Sequence, residues 1–199
     1  MKKFNSKILL FGEYGLLKGS MGIAIPYSED SGELITPNED SILTRKQLES
    51  NSEIKKLAIF ISHHEYFKTN SKVLQLLEDS LLGLYFDSNI PKNYGIGSSG
   101  ALVAAIYNKY FYSSDNIQTS DKNLMEKLKN EFSIIESFFH GKSSGIDPLV
   151  SYLNVPILLN APLNHLKFIS KSNIKLFLID TGKPSSTKDF VELFSIKCN

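Results

Sequence analysis

Two stretches of this 199-residue chain carry residue types that could handle a phosphate. The first is PKNYGIGSSGA, residues 91–101, where Gly95 and Gly97 read as a turn and Ser98 and Ser99 stand at the mouth of an apolar helix. The first amides of a helix lack intrahelical partners and sit at the positive end of its dipole, so an anion is attracted there. Glycines let the backbone approach a phosphate, and serine hydroxyls add ligands for phosphate or a magnesium ion. No lysine follows the glycines as a Walker loop requires, and the G-x-G-x-x-G of Gly95, Gly97 and Gly100 lacks the following strand and ribose-binding acid of a dinucleotide fold. Taken alone, a glycine-serine turn that merely caps a helix explains the segment equally well.

The second stretch is ESFFHGKSSGID, which sets Glu136 and Asp147 eleven positions apart across a helix end and a short loop. A turn there could fold the loop acid back beside the helix acid. Two such carboxylates suit phosphoryl transfer, one as a hard oxygen ligand for Mg2+ and one near the attacking hydroxyl. Each also has an ordinary explanation. Glu136 flanks an apolar helical stripe and could be a solvated edge residue, while Asp147, just before Pro148, fits a helix N-cap with proline at the first helical position.

Together these segments resemble a known family. P-x-x-x-G-I-G-S-S-x-A is similar to the phosphate-binding motif of the GHMP kinases, and E-x-x-x-H-G-x-x-S-G-x-D resembles that family's mevalonate kinase branch. The opening KILLFGEY, residues 7–14, resembles that branch's K-x-x-L-x-G-E-H. The resemblance implies ATP as co-substrate on Gly95, Ile96, Gly97, Ser98, Ser99 and Gly100, with Mg2+ held by Ser99 and Glu136. Asp147 is then the catalytic acid-base group, and Lys7 stabilises charge developing on the transferred phosphoryl group. Glu13, Tyr14 and Thr187 would face the substrate, Thr187 through the late segment DTGKPSSTK, residues 180–188, which resembles the family's strand-to-helix turn. Two positions depart from the pattern: Tyr14 stands for histidine, and Ser143 stands for proline in the acid-bearing loop. The implied activity is ATP-dependent phosphorylation of the primary hydroxyl of mevalonate, with phosphomevalonate or a sugar as alternative substrates within the family. A non-catalytic fragment that binds nucleotide poorly is the alternative outside it.

Several elements must position these groups. Residues 4–11 read as a strand, followed by apolar stretches at 15–17 and 22–26 that give a β-rich opening. From Tyr27 to about Ser52 the composition turns polar and is read as hairpin loops and short strands, with helical character growing from Lys46. Residues 71–82 carry apolar side chains at 73, 74, 77 and 81, one helical face, and Gly83 ends the helix. A strand over 84–91 enters the glycine loop, and 101–112 is a strongly apolar helix. Residues 121–139 form the clearest helix, with Asp121 as N-cap and Gly141 past its end. Strands are expected at 155–159 and 174–180. Helices and strands mix without β-α-β alternation, so the fold class is α+β. The resemblance makes it a GHMP kinase N-terminal domain of the ribosomal protein S5 domain 2-like type over 1–172, with the start of a C-terminal domain over 173–199. Family members continue for about another 100 residues, a further domain's worth of chain, and carry a second glycine-rich motif there. That motif has no counterpart after Ser186, so the chain is expected to represent a truncated N-terminal portion.

Composition narrows the function classes. A net charge of +1 with scattered lysines gives no field favouring nucleic acid or an anionic membrane, so neither is expected as a partner. Arg45 is the lone arginine, which leaves phosphate to lysine, hydroxyls and backbone amides. Cys198 is the lone cysteine, which excludes a disulfide framework and a cysteine metal site and fits a reducing compartment. His63 and His64 are adjacent, so they point apart, and no third ligand accompanies them. The apolar run 8–11 is too short for a signal peptide, and no run approaches a membrane span. The expectation is a cytoplasmic protein whose partners are a small alcohol and ATP, with a homodimer left open.

Overall fold

The strand expected at the start forms β1 (Phe4–Phe11), with Phe4 and Ser6 turned inward. The computed structural model of the chain describes residues 2–38, 40–111, 122–160, 177–179, 182 and 187–197. β1 pairs antiparallel with β2 (Gly22–Ile35), from Phe4 opposite Gly32 to Phe11 opposite Ile23. The other edge of β2 receives two short antiparallel strands. β3 (Tyr85–Ser88) pairs with Gly32–Ile35, and β4 (Ile157–Leu159) pairs with Gly22–Ala24.

β2 refines one expectation, since residues 27–35 were read as hairpin loops and short strands, whereas they belong to one long strand. The strand runs on through them, burying Gly32 and Leu34 while exposing Ser28 and Glu29. The register with β1 shifts there, Ser6 facing Tyr27 and Asn5 facing Ser31, and this irregularity breaks the period of two in the sequence. The stretch 15–17, read as part of a β-rich opening, forms no strand. It lies in a 3-10 helix, Tyr14–Lys18.

α1 (Arg45–His63) starts where the polar stretch supplies a capping box. The Gln47 amide donates to Thr44 Oγ1 at 3.4 Å, and the Thr44 amide donates to Gln47 Oε1 at 2.8 Å. α2 (Lys72–Leu81) is where expected, but its inward face is Val73, Leu76 and Ser80. Leu74 and Leu81, placed by periodicity on the buried stripe, are exposed. Asn51 of α1 explains the rotation: its buried Nδ2 donates to the carbonyls of Ser80 and Leu84 at 2.8 and 2.7 Å, turning the end of α2 toward α1. That bond also satisfies a carbonyl at the open end of the helix.

α3 (Ser98–Ile106) continues into a π-helical turn, Tyr107–Phe111, and α4 (Lys122–His140) returns beside it. α5 (Ile146–Leu153) packs with α3 onto β1 and β2. Leu102, Val103, Ile106, Phe132, Ile135, Leu149 and Val150 fill the space between these helices and the sheet. α6 (Thr187–Lys197) follows. Antiparallel strands with helices of irregular order make the α+β class expected from the sequence.

Of the strand expected over 174–180, only residues 177–179 are described, and they are in neither helix nor strand. Asp121, the expected boundary at 172/173 and Cys198 lie outside the described residues. His63 is exposed, and among the described residues no cluster of three His, Cys, Asp or Glu side chains could hold a metal. No helix among the described residues is long and apolar enough to cross a membrane.

Candidate active site

The glycine loop is fastened to β1 at the residue singled out there. The Lys7 amide donates to the Ile96 carbonyl at 2.9 Å, drawing the loop over the strand. Gly97 then takes the left-handed conformation, φ +78°, as N-cap of α3. A Cβ at Gly97 would lie 2.8 Å from Lys7 Cγ, so glycine is needed for conformation and for space alike. Gly100, one turn into α3, meets α5 as closely. A Cβ there would lie 2.8 Å from the Asp147 carbonyl carbon and 2.9 Å from Pro148 N. Two glycines of the loop thus bring α3 against the lysine and the aspartate.

Lys7 and Asp147 meet each other. Lys7 Nζ lies 3.0 Å from Asp147 Oδ1, with side chains 11% and 33% exposed. The N-cap role expected of Asp147 is not what the structure shows. Gly145, at φ +72°, is the N-cap of α5, and Asp147 lies inside the first turn. A Cβ at Gly145 would fall 2.1 Å from the Lys129 carbonyl oxygen, so only glycine can take the capping position against α4. Asp147 is thereby released from capping to pair with Lys7.

Glu136, on α4, is 3% exposed rather than a solvated edge residue. Burial, then the charge of Asp147, push its carboxyl up to about 7, while hydrogen bonds from Ser143 and Ser99 and the charge of Lys7 oppose the rise. Ser99 Oγ also lies 3.2 Å from His140 Nε2. One cluster therefore holds Lys7, Asp147, Glu136, Ser99, Ser143 and His140, with Ser98 at the first position of α3.

The donor set of this cluster fits Mg2+. Ser99 and Glu136 offer a hydroxyl and a carboxylate, both hard oxygens, and magnesium characteristically uses one or two carboxylates with substrate phosphates completing its shell. A cation would also offset the cost of ionising a carboxyl buried beside Asp147.

Glu13 is exposed beyond the end of β1, and the Tyr14 ring stacks on Phe194 of α6, with centroids 5.2 Å apart. Thr187 begins α6, and its side chain lies outside the described part of the structure. Sequence reasoning missed His140 and the contact made by Ser143. His140 was detectable, since it stands four residues after Glu136 and so shares its helical face.

Residues 64–154 match the profile of the GHMP kinases N terminal domain, a span that contains the glycine loop and both acids. No curated protein matches the chain. Among solved structures, the mevalonate kinase from methicillin-resistant Staphylococcus aureus MRSA252 is 21% identical, with a TM-score of 0.47, over 84% of this chain and 55% of that one. A second mevalonate kinase crystal structure is 17% identical, with a TM-score of 0.45, over 82% of this chain and 53% of its own length. The chain spans about half the length of these two proteins. Residues 64–154 are thus similar to the GHMP kinases N terminal domain.

Proposed function

We propose that this chain carries the phosphoryl-transfer machinery of an ATP-dependent small-molecule kinase acting on the primary hydroxyl of a mevalonate-like alcohol. The observation that carries the reading is the Lys7–Asp147 pair, 3.0 Å apart, at the place where Gly97 and Gly100 bring the glycine loop against both residues.

The amides of Gly95 to Gly100 and the hydroxyls of Ser98 and Ser99 embrace the triphosphate of ATP. Ser99 and Glu136 would hold Mg2+, which supplies neutralisation of phosphate charge when bound. Asp147 orients the alcohol and accepts its proton as the new oxygen–phosphorus bond forms and the bond from the γ-phosphorus to the bridging oxygen of ADP breaks. Lys7 faces the charge spreading over the transferred group. Glu13, Tyr14 and Thr187 are proposed to contact the alcohol. Tyr14, standing for histidine, offers a hydrogen-bonding hydroxyl without a cation near neutral pH. The HGKSSGID segment, residues 140–147, favours mevalonate over phosphomevalonate, whose added phosphate calls for cations beyond Lys7.

Phosphorus NMR of reactions with Mg-ATP and mevalonate, phosphomevalonate or galactose tests the substrate. The expected product is a phosphomonoester from mevalonate alone. A phosphoester formed from galactose, or a pyrophosphate from phosphomevalonate, with none from mevalonate, would move the substrate assignment within the family.

A further inference from the structure

Ser143 is the residue of the acid-bearing loop that departs from the pattern this chain resembles, and its contacts give the departure a role. Its hydroxyl donates to Glu136 Oε2 and accepts the Gly145 amide at 2.9 Å. Its carbonyl accepts Ser133 Oγ at 2.6 Å. A hydroxyl has one proton to give. With the Gly145 N–H occupying an acceptor site of the oxygen, the Ser143 proton is directed at the carboxylate.

The anchoring is local and stiff. Ser133 and Glu136 both belong to α4, and Gly145 is the N-cap of α5. The three bonds therefore fix Ser143 against both helices at once, and through its hydroxyl they fix the carboxylate of Glu136. Proline at 143 could hold the turn through its ring but has no hydroxyl to give a carboxylate. In this chain a hydrogen bond does that part of the work.

We propose that Ser143 is a positioning residue for the divalent cation of the nucleotide complex, aiming the Glu136 carboxylate through its hydroxyl. The inference rests on the kinase reading given above. Groups that hydrogen-bond a metal ligand set its orientation, and their loss typically weakens metal affinity by about 10–100-fold.

The test compares Ser143→Ala, Ser143→Val and Ser143→Thr in the full chain. Threonine and valine have the same shape, and only threonine keeps the hydroxyl. Mn2+ affinity is read by electron paramagnetic resonance at saturating ADP, alongside thermal midpoints and kcat and KM for ATP. Ser143→Ala and Ser143→Val are expected to weaken Mn2+ binding by about tenfold or more while Ser143→Thr stays near the parent chain. The kinase rate lost in the first two is expected to return in part at high Mg2+. Equal Mn2+ affinity in the Val and Thr variants would overturn the proposal, as would equal impairment in both. Should Ser143→Ala fail to fold, the Val and Thr pair decides alone. A parent chain that binds Mn-ADP without turnover sinks the kinase reading and leaves the Mn2+ comparison to decide the role of Ser143. A parent chain that binds no Mn-ADP sinks both.

Discussion

Lys7 Nζ lies 3.0 Å from Asp147 Oδ1, a contact between the first strand and a helix 140 residues later in the chain. Lys7 is only 11% exposed, so removing either partner strands a charge in a poorly solvated place, while removing both does not. Lys7→Met is expected to lower stability by about 1–2 kcal/mol, a figure reduced for the partial exposure of Asp147. Lys7→Met combined with Asp147→Asn is expected to recover at least about 0.5 kcal/mol of the summed single losses in a urea double-mutant cycle. Strictly additive losses would show that the two groups do not interact.

Gly100 offers a sharper steric test, because two effects predict opposite signs. Glycine inside a helix is worse than alanine by about 1 kcal/mol, so propensity alone makes Gly100→Ala stabilising. The added Cβ would fall 2.8–2.9 Å from the backbone of Asp147 and Pro148, which cannot move aside as a flexible side chain can. The expected result is a net loss of about 1–3 kcal/mol in chemical denaturation, with weakened ADP binding. A stabilised variant would mean that α3 and α5 do not approach this closely.

Glu136 predicts a pH dependence. Its carboxyl stands at about 7 in the folded chain against an ordinary 4.5, raised by burial first and by Asp147 second. The folded chain thus keeps a proton that the unfolded chain releases. This contribution to stability is fully present below about pH 4.5 and is lost as pH rises through about 7. Without nucleotide or divalent cation, the parent chain should lose up to roughly 3 kcal/mol more across that interval than Glu136→Gln, which does not titrate there. Urea midpoints measured at several pH values for both proteins check this. Parallel curves would contradict it.

A second buried acid on the same helix serves a different purpose. Glu131 is 6% exposed and accepts hydrogen bonds from Tyr107 and from Tyr66, the latter at 2.5 Å. It ties α4 to the π-helical turn and to the segment after α1. Burial and the bond to Glu131 raise the Tyr107 hydroxyl far above its ordinary range, so it remains a donor at any working pH. Tyr107→Phe is expected to cost about 1–3 kcal/mol by leaving the carboxylate short of a partner. ADP affinity should be unchanged, which separates this acid from Glu136. A thermal scan with a nucleotide titration reads both.

Much of this arrangement was legible in the sequence because it lies in contiguous motifs. The glycine loop, the strand entering it and the eleven-residue spacing of Glu136 and Asp147 each involve neighbours along the chain. The long β2 was not legible, because Ser28, Glu29 and Asp30 interrupt its apolar period where its register with β1 shifts. The buried face of α2 was read one step off, since the rotation is set by Asn51 on another helix. Asp147 was read as a cap from the proline after it. The identity of the true cap depends on how closely Gly145 approaches the Lys129 carbonyl, a tertiary fact. The Ser143 hydroxyl bond to Glu136 is of the same kind.

The central claim is that Asp147, paired with Lys7 against the glycine loop, serves transfer of a phosphoryl group to an alcohol. The most direct measurement is ADP release from Mg-ATP with mevalonate by the chain and by Asp147→Asn, each against a control without mevalonate. The account predicts a mevalonate-dependent rate that falls by about 10²–10⁴-fold in the variant while ADP affinity holds. A rate unchanged by the substitution, or none at all from folded chain that binds ADP, would contradict it.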